Sequence, residues 1–460
     1  MCAQKLNGNE LAVRFITSLS WDQIPEAAQR KARMALLDVL GATMAGTLTA
    51  VADITAGFAA DVWPGTEATI LWRGRRASAI GAAFANGYAA NAIDIDDCGW
   101  YTKGHPGVQV FPTSLALCEA RNLSGADLLT GMVIGYEIAH RAARIWHATH
   151  EIYQACGSWG SVACAAIAGH LLRLTPAQVH HALGIAEYHA PNLPMMRDID
   201  HPTMVKHGIG WGTMTGITAA LLARRGFTGI PSLFGFEEYY DWVADLGENY
   251  IMTEGIGFKI YASCAWSHPP INVTKRLMEE HHITVDDIAR IKIVGPHETV
   301  RLGNKLPTTT EEAQFNTAWP LAVYLLDGEL GPRQILEYRL QDPKVRELAS
   351  RIELEESPEL SELHNLGMAG DPKGGFFAIA EITLKDGRVL RSAPADAGVK
   401  YAGWTEEEVE RKFRWLLKDI VEPERIDRLV DLVWHFESAP DVHELVRLAT
   451  IHQVPAWMHA

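Results

Sequence analysis

The six cysteines of this chain form no C-x-x-C pair. They stand at Cys2, Cys98, Cys118, Cys156, Cys164 and Cys264, scattered over 460 residues. That scatter offers no zinc or iron–sulfur spacing. It suits reduced thiols in a cytoplasmic enzyme better than a disulfide framework. Basic residues are in short supply too: Lys+Arg 41 against Asp+Glu 56 gives a net charge of −15. A global nucleic-acid binder is thereby disfavoured, although a local group of Lys, Arg and His can reverse the field inside one cleft. No apolar core follows a basic segment in the opening MCAQKLNGNELAVRF, so no signal peptide is expected. The most apolar runs are rich in Ala and Gly and broken by polar residues, so no membrane span is expected. No internal repeat and no low-complexity tract occurs.

What is present is ordinary for a globular protein: 48% hydrophobic and 21% charged residues, enough for a large core and two or three domains. From Glu10 to about Phe236 the pattern is helical almost throughout. Ala27 to Thr47 and Ala77 to Ala92 read as packed helices. Ser124 and Asp127 form a capping box ahead of Leu128 to Trp146. Gly157 to Leu172 is small-residue rich, Thr175-Pro176 opens a helix to about Ala186, and Val205 to Arg225 is another. The texture changes near His268-Pro269-Pro270. Ile288 to Val294 alternates as a strand, as does Arg351 to Leu354 more weakly. Phe376 to Leu390 reads as a hairpin with a two-residue turn at Asp386-Gly387. Helices return at Thr405 to Lys418 and Glu422 to Phe436. The expected fold is mainly α. A large all-α domain (1–267 and 401–460) is joined to a smaller α+β domain (268–400).

The stretch from Asn91 to Val108, NAIDIDDCGWYTKGHPGV, concentrates the chemistry. It carries three carboxylates, Cys98, Lys103 and His105 in a turn-rich window. Pro106 and the flanking glycines cannot continue a helix. From these residues alone two readings stand: a solvated helix end with capping aspartates, or a rigid loop that holds a site.

Seven segments, in this order, resemble the MmgE/PrpD family: GAAFANGYAANAIDIDD (81–97), GHPG (104–107), GSWGSVACAA (157–166), MVKHGIGWG (204–212), ARRGFTG (223–229), FKIYASCAWSHP (258–269) and EEAQFNTAWPLA (311–322). The resemblance covers nearly the whole chain. It implies a large helical domain, a smaller α+β lid, a homodimer and a cleft site that needs no metal or organic cofactor. Its members include 2-methylcitrate dehydratases, cis-aconitate decarboxylases and an iminodisuccinate epimerase. Each moves a proton, or removes a carboxylate, next to carboxylate or imine groups. That chemistry needs an acid or base within reach and cations against the developing negative charge.

By the same resemblance His105 is the leading acid/base and Lys259 a carboxylate anchor or base. Asp94 orients and tunes a neighbouring His or Lys. Lys206 donates to a substrate carboxylate. Asp96 and Asp97 are expected to be structural. His268 is either a site residue or a hinge element, and Cys98, Lys103 and Trp319 are expected substrate contacts. Three positions depart from the decarboxylase branch: Cys98 replaces its Thr, Glu151 its His, and Trp319 its Tyr. Tyr153 is a candidate substitute proton carrier, provided that nearby cations lower its pKa. The expected activity is that of a cofactor-independent lyase or isomerase on a small di- or tricarboxylic acid, with dehydration of a 2-methylcitrate-like acid first. The alternatives are iminodisuccinate-like epimerisation and a catalytically silent, carboxylate-binding member.

Overall fold

Helix starts follow the capping chemistry. Ser124 accepts from the Asp127 amide while Asp127 bonds back to the Ser124 amide, and the helix Gly125–Thr149 begins there. Thr175 with Gln178 opens Pro176–Tyr188, and Thr405 with Glu408 opens Glu406–Leu417. The computed structural model describes residues 6–459. Among these residues no single helix is long and apolar enough to cross a membrane.

The first half of the chain is a stack of helices whose contacts are made by Ala and Gly. Glu26–Gly46, Ala79–Asn91, Gly107–Arg121, Gly125–Thr149, Cys156–Leu171 and Ile209–Arg224 bury most of their surfaces against one another. A Cβ added at Gly46 would stand 1.9 Å from the Ala89 carbonyl oxygen, so only glycine permits that crossing. The run is interrupted by two short ladders. Strands β1 (Ala68–Thr69) and β2 (Arg76–Ala77) pair with each other. Strand β3 (Asp97–Gly99) pairs antiparallel with β4 (Ile256–Phe258), Asp97 opposite Phe258. This second ladder matters most, because it carries Lys259 to the aspartate run 165 positions earlier.

The C-terminal part is built on a sheet of β5 (Ile288–Gly295), β6 (Ile352–Glu356), β7 (Phe377–Leu384), β8 (Val389–Arg391) and β9 (Ala395–Asp396). Its order is β6-β5-β7-β8, with β9 also on β7; β5 and β6 are parallel and the other pairs antiparallel. The helix His268–Glu280 packs on β7. Helix Glu406–Leu417 returns to Glu26–Gly46. There the buried Lys412 ammonium ion-pairs with Asp38 and donates to the Ile95 carbonyl at 2.6 Å.

Two expectations need correction. The hairpin turn holds three residues, not two: Leu384 N–H bonds Arg388 O at 2.8 Å, with Gly387 left-handed at φ 90°. The helix expected from Val205 starts only at Ile209. Lys206, His207 and Gly208 take φ of 40°, 58° and 64° in succession, which breaks the helical path.

Candidate active site

Two loops and one strand end meet under the helix stack. The Asp94–Gly107 loop leaves the end of Ala79–Asn91, the Lys206–Gly208 turn precedes Ile209–Arg224, and Lys259 follows β4. Gly157 seats the middle one, since a Cβ there would lie 2.2 Å from the Gly208 carbonyl oxygen.

Asp94 is the centre. Its Oδ1 lies 2.8 Å from Lys259 Nζ and 3.4 Å from His105 Nε2. All three side chains are buried. Burial alone would raise the Asp94 carboxyl; the Lys259 ammonium and the His105 ring outweigh it and hold the group well below the usual carboxylate range. Lys259 is likewise held charged: burial would lower it, but Asp94 pulls it above the usual lysine value. His105 Nδ1 lies 2.8 Å from Asp96 Oδ2 and 2.8 Å from the Asp97 carbonyl. That nitrogen therefore carries a proton, and Nε2 is the reactive one. Burial would lower the imidazole; the Asp96 carboxylate overrides it and raises the ring well above the usual histidine value. At neutral pH His105 is an imidazolium, an acid rather than a base. Its amide bonds Cys156 Sγ at 3.2 Å.

Asp96 is thus part of the site, contrary to the expectation of a purely structural role, and Asn91 Nδ2 fixes its other oxygen at 2.8 Å. Asp97 does have a framework role: its Oδ1 accepts from Gly107 N at 3.0 Å. Burial, then Asp96, pushes its carboxyl up to about 7.

Lys206 is fully buried and donates to Gln314 Oε1 at 2.7 Å, with Phe315 5.2 Å beneath its ammonium. Gln314 is held in turn by the Ala92 carbonyl and Thr310. Burial lowers the Lys206 pKa, Asp94 offsetting it only in part. The cluster therefore contains an acid pushed up and an amine pushed down, the arrangement that separates proton donor from acceptor.

Of the remaining expected residues, all but Cys98 lie outside this inner group. His268 opens the helix His268–Glu280, bonds the Ser263 carbonyl at 3.2 Å and packs on Tyr261. Burial, then Lys259, pushes it down to about 3, so it is neutral. Cys98 is the exception: buried on β3 opposite Gly257, it has its thiol in hydrogen-bonding contact with the His105 ring. Lys103 and Tyr153 line a cavity of about 260 Å³ together with His147, Trp266 and His364. The Tyr153 hydroxyl donates to the Lys103 carbonyl. Burial pushes that hydroxyl well above the usual tyrosine value, opposite to the shift a proton carrier requires. Trp319 sits fully buried in the main hydrophobic core, its amide held by Asn316 Oδ1 at 2.8 Å, and it lines neither this cavity nor the one beside His207.

A residue that pattern reading passed over is His207. Its ring stacks on His105 at 5.5 Å and 6°, and its Nδ1 lies 2.7 Å from Asp198 Oδ2. The only local sign was a His followed by Gly inside a predicted helix. Asp94, His105 and His207 bring ligand-type atoms within 4.8 Å of one another. A metal ion there would have to displace the Lys259 ammonium from Asp94, so the set fits proton handling better than metal binding. Among the described residues, four of the eight non-glycine residues with positive φ are Asp94, Lys103, Lys206 and His207. Each such conformation costs about 1–2 kcal/mol. Strain of this kind persists where surroundings fix a residue for use.

Comparison with known proteins agrees in scale with this layout. Residues 10–245 match the MmgE/PrpD N-terminal domain and residues 261–436 the MmgE/PrpD C-terminal domain. The chain is 26% identical to the cis-aconitate decarboxylase of Homo sapiens over 455 residues, 91% of this chain and 89% of that one. It is 25% identical to the cis-aconitate decarboxylase of Mus musculus, over 94% of this chain and 91% of that one. With the cis-aconitate decarboxylase of Aspergillus terreus the figures are 23% and 94% of each. All three bear the name of a decarboxylase, not of the dehydratase that was expected first. The chain belongs to the MmgE/PrpD family and is one of its enzymes.

Proposed function

We propose that this enzyme is an acid–base lyase of a small tricarboxylic acid, and that it removes water from a 2-methylcitrate-like hydroxy acid. The observation that carries this reading is the pairing, around one buried aspartate, of an imidazolium and a lysine whose charge is disfavoured. A dehydration needs both. Lys206 takes the proton from the carbon beside a carboxylate, and the C–H electrons form the double bond. The C–O bond breaks, and His105 Nε2 delivers its proton to the departing hydroxyl, which leaves as water. Lys259 supplies the fixed positive charge against which a substrate carboxylate and the developing carbanion rest.

A second reading is decarboxylation of a cis-aconitate-like acid, favoured by the names of the relatives. His105 then protonates the carbon that loses carbon dioxide, and no base is needed.

Proton NMR in heavy water separates the two on a panel of 2-methylcitrate, citrate, cis-aconitate and iminodisuccinate. Loss of water supports dehydration, with deuterium in recovered substrate if the proton abstraction reverses. Loss of carbon dioxide supports decarboxylation, and exchange with neither loss supports epimerisation. No reaction, and no rise in melting temperature with any acid, would overturn the tricarboxylate reading.

A further inference from the structure

The Asp198–His207 pair has no part in the reaction as written above, yet the backbone is distorted to hold it. Asp198 is 9% exposed. Its Oδ2 accepts the His207 backbone N–H at 2.8 Å and lies 2.7 Å from the ring Nδ1. One carboxylate oxygen thus fixes the left-handed turn and the tautomer together. With Nδ1 protonated toward Asp198, Nε2 is the nitrogen free to exchange a proton. Burial would raise the Asp198 carboxyl, but His207 outweighs it and keeps the carboxylate charged.

Position gives the pair its meaning. On one side the His207 ring lies parallel to His105, with a nitrogen of each and an Asp94 oxygen within 4.8 Å. Two nitrogens that share one water, each at about 2.8 Å, stand roughly 4.5–5 Å apart. On the other side His207 lines a cavity of about 370 Å³ whose walls include Arg197, Asp198, His201 and Val205. Arg197, His201 and Val205 are exposed, whereas His105 is buried and does not line this cavity. Phe315 closes the flank of the ring, edge-on at 5.5 Å.

We infer that His207, backed by Asp198, is a proton relay between His105 and this water-accessible cavity. After His105 Nε2 has given its proton to the substrate, the bridging water protonates that nitrogen. The same water receives a proton from His207 Nε2. His207 Nε2 then regains one from cavity water, with the Asp198 carboxylate beside Nδ1 throughout. No bond other than N–H and O–H is made or broken. The relay rests on His105 as the proton donor of the proposed reaction, but its test needs no substrate.

The test is the exchange rate of the His105 Nε2–H with water, by NMR on protein labelled with ¹⁵N-histidine. His105→Asn identifies the signal. His207→Phe keeps a stacked ring and removes the relay nitrogen. Exchange at least tenfold slower in this variant, restored by imidazole added to the buffer, is the expected result. Exchange as fast as in the wild type overturns the relay. Slow exchange that imidazole fails to restore also overturns it, because packing alone then explains the change. Asp198→Asn serves if His207→Phe does not fold: severalfold slowing is expected, and an unchanged rate rejects the relay. Because no acid is turned over, failure of the proposed reaction leaves this measurement readable.

Discussion

Two of the groups of charge buried among the described residues are built differently. Around Arg141 the polar atoms are matched, the guanidinium Nε excepted. The guanidinium pairs with Glu137 and with Asp245 at 2.9 Å, and donates to the Asn249 carbonyl at 3.0 Å. Glu137 in turn accepts the Ile251 and Met252 amides at 3.1 and 2.9 Å. Around Asp94 the charges face one another, but neither Asp94 oxygen nor the Lys259 ammonium makes a well-directed hydrogen bond. The first group is complete but for one guanidinium N–H. The second has donors and acceptors still to offer, in a place where leaving them unpaired costs about 1–3 kcal/mol each. Arg141 joins structural elements, and Asp94 waits for chemistry.

The sharpest way to break this contrast is His105→Ala. Loss of a general acid should lower turnover of the accepted acid by on the order of 10⁴-fold. The urea unfolding midpoint should also fall, because Asp96 loses its partner, but the folded variant at low denaturant should still lack turnover. A variant that unfolds but keeps its specific activity would reverse the assignment of the two groups.

Arg141→Met should do the opposite. It strands Glu137 in the interior, which costs roughly 3–5 kcal/mol of stability. Urea denaturation reads the loss, and folded protein at low denaturant should retain turnover within a fewfold. An undiminished unfolding midpoint would mean that the Arg141 group is not the structural one.

Asp97 sharpens the comparison, because it sits beside the site yet has a framework role. Its folded pKa is raised from 3.8 to about 7 by burial and Asp96. The sign follows: the folded state holds this proton more tightly, so stability is lost as pH rises from about 4 through 7. Asp97→Asn keeps an acceptor for the Gly107 amide and removes the titration. It should be about 1–3 kcal/mol more stable than wild type at pH 8, with the gap closing toward pH 4. An equal gap at both pH values would show that Asp97 is not the titrating group. His105 has the same slope in a higher pH window. Its raised pKa adds stability that is full below about 6.5 and fades only as pH passes the higher folded value.

Much of the fold was legible because its signals are local. The capping pairs Ser124/Asp127, Thr175/Gln178 and Thr405/Glu408 each lie within four residues, and all three open helices where expected. The turn at Lys206–Gly208 was not legible. Positive φ at Lys and His runs against local preference and is imposed by Asp198 and by the close approach of Gly157. The site shows the same division. His105, Lys259 and Asp94 were named through family resemblance, since nothing local joins a lysine to an aspartate 165 residues earlier. Asp96 was expected to be structural. Only the folded loop brings Asp94 to one nitrogen of His105 and Asp96 to the other. Gln314 and His207 had no signal beyond their residue types.

The smallest effect is expected at Tyr153, where sequence and structure disagree. As a stand-in proton carrier it would need a lowered pKa, and Tyr153→Phe would then abolish turnover. Its hydroxyl is instead occupied by the Lys103 carbonyl and pushed up by burial. Removing one such hydrogen bond costs about 1 kcal/mol, or roughly fivefold in rate if all of it falls on the placement of Lys103. Tyr153→Phe should therefore keep at least a tenth of wild-type turnover, with an unchanged pH profile. A loss of a thousandfold or more, or a profile that loses one limb, would move Tyr153 inside the proton-transfer group. The boundary drawn here around Asp94, His105, Lys206 and Lys259 would then have to be redrawn to include the 260 Å³ cavity.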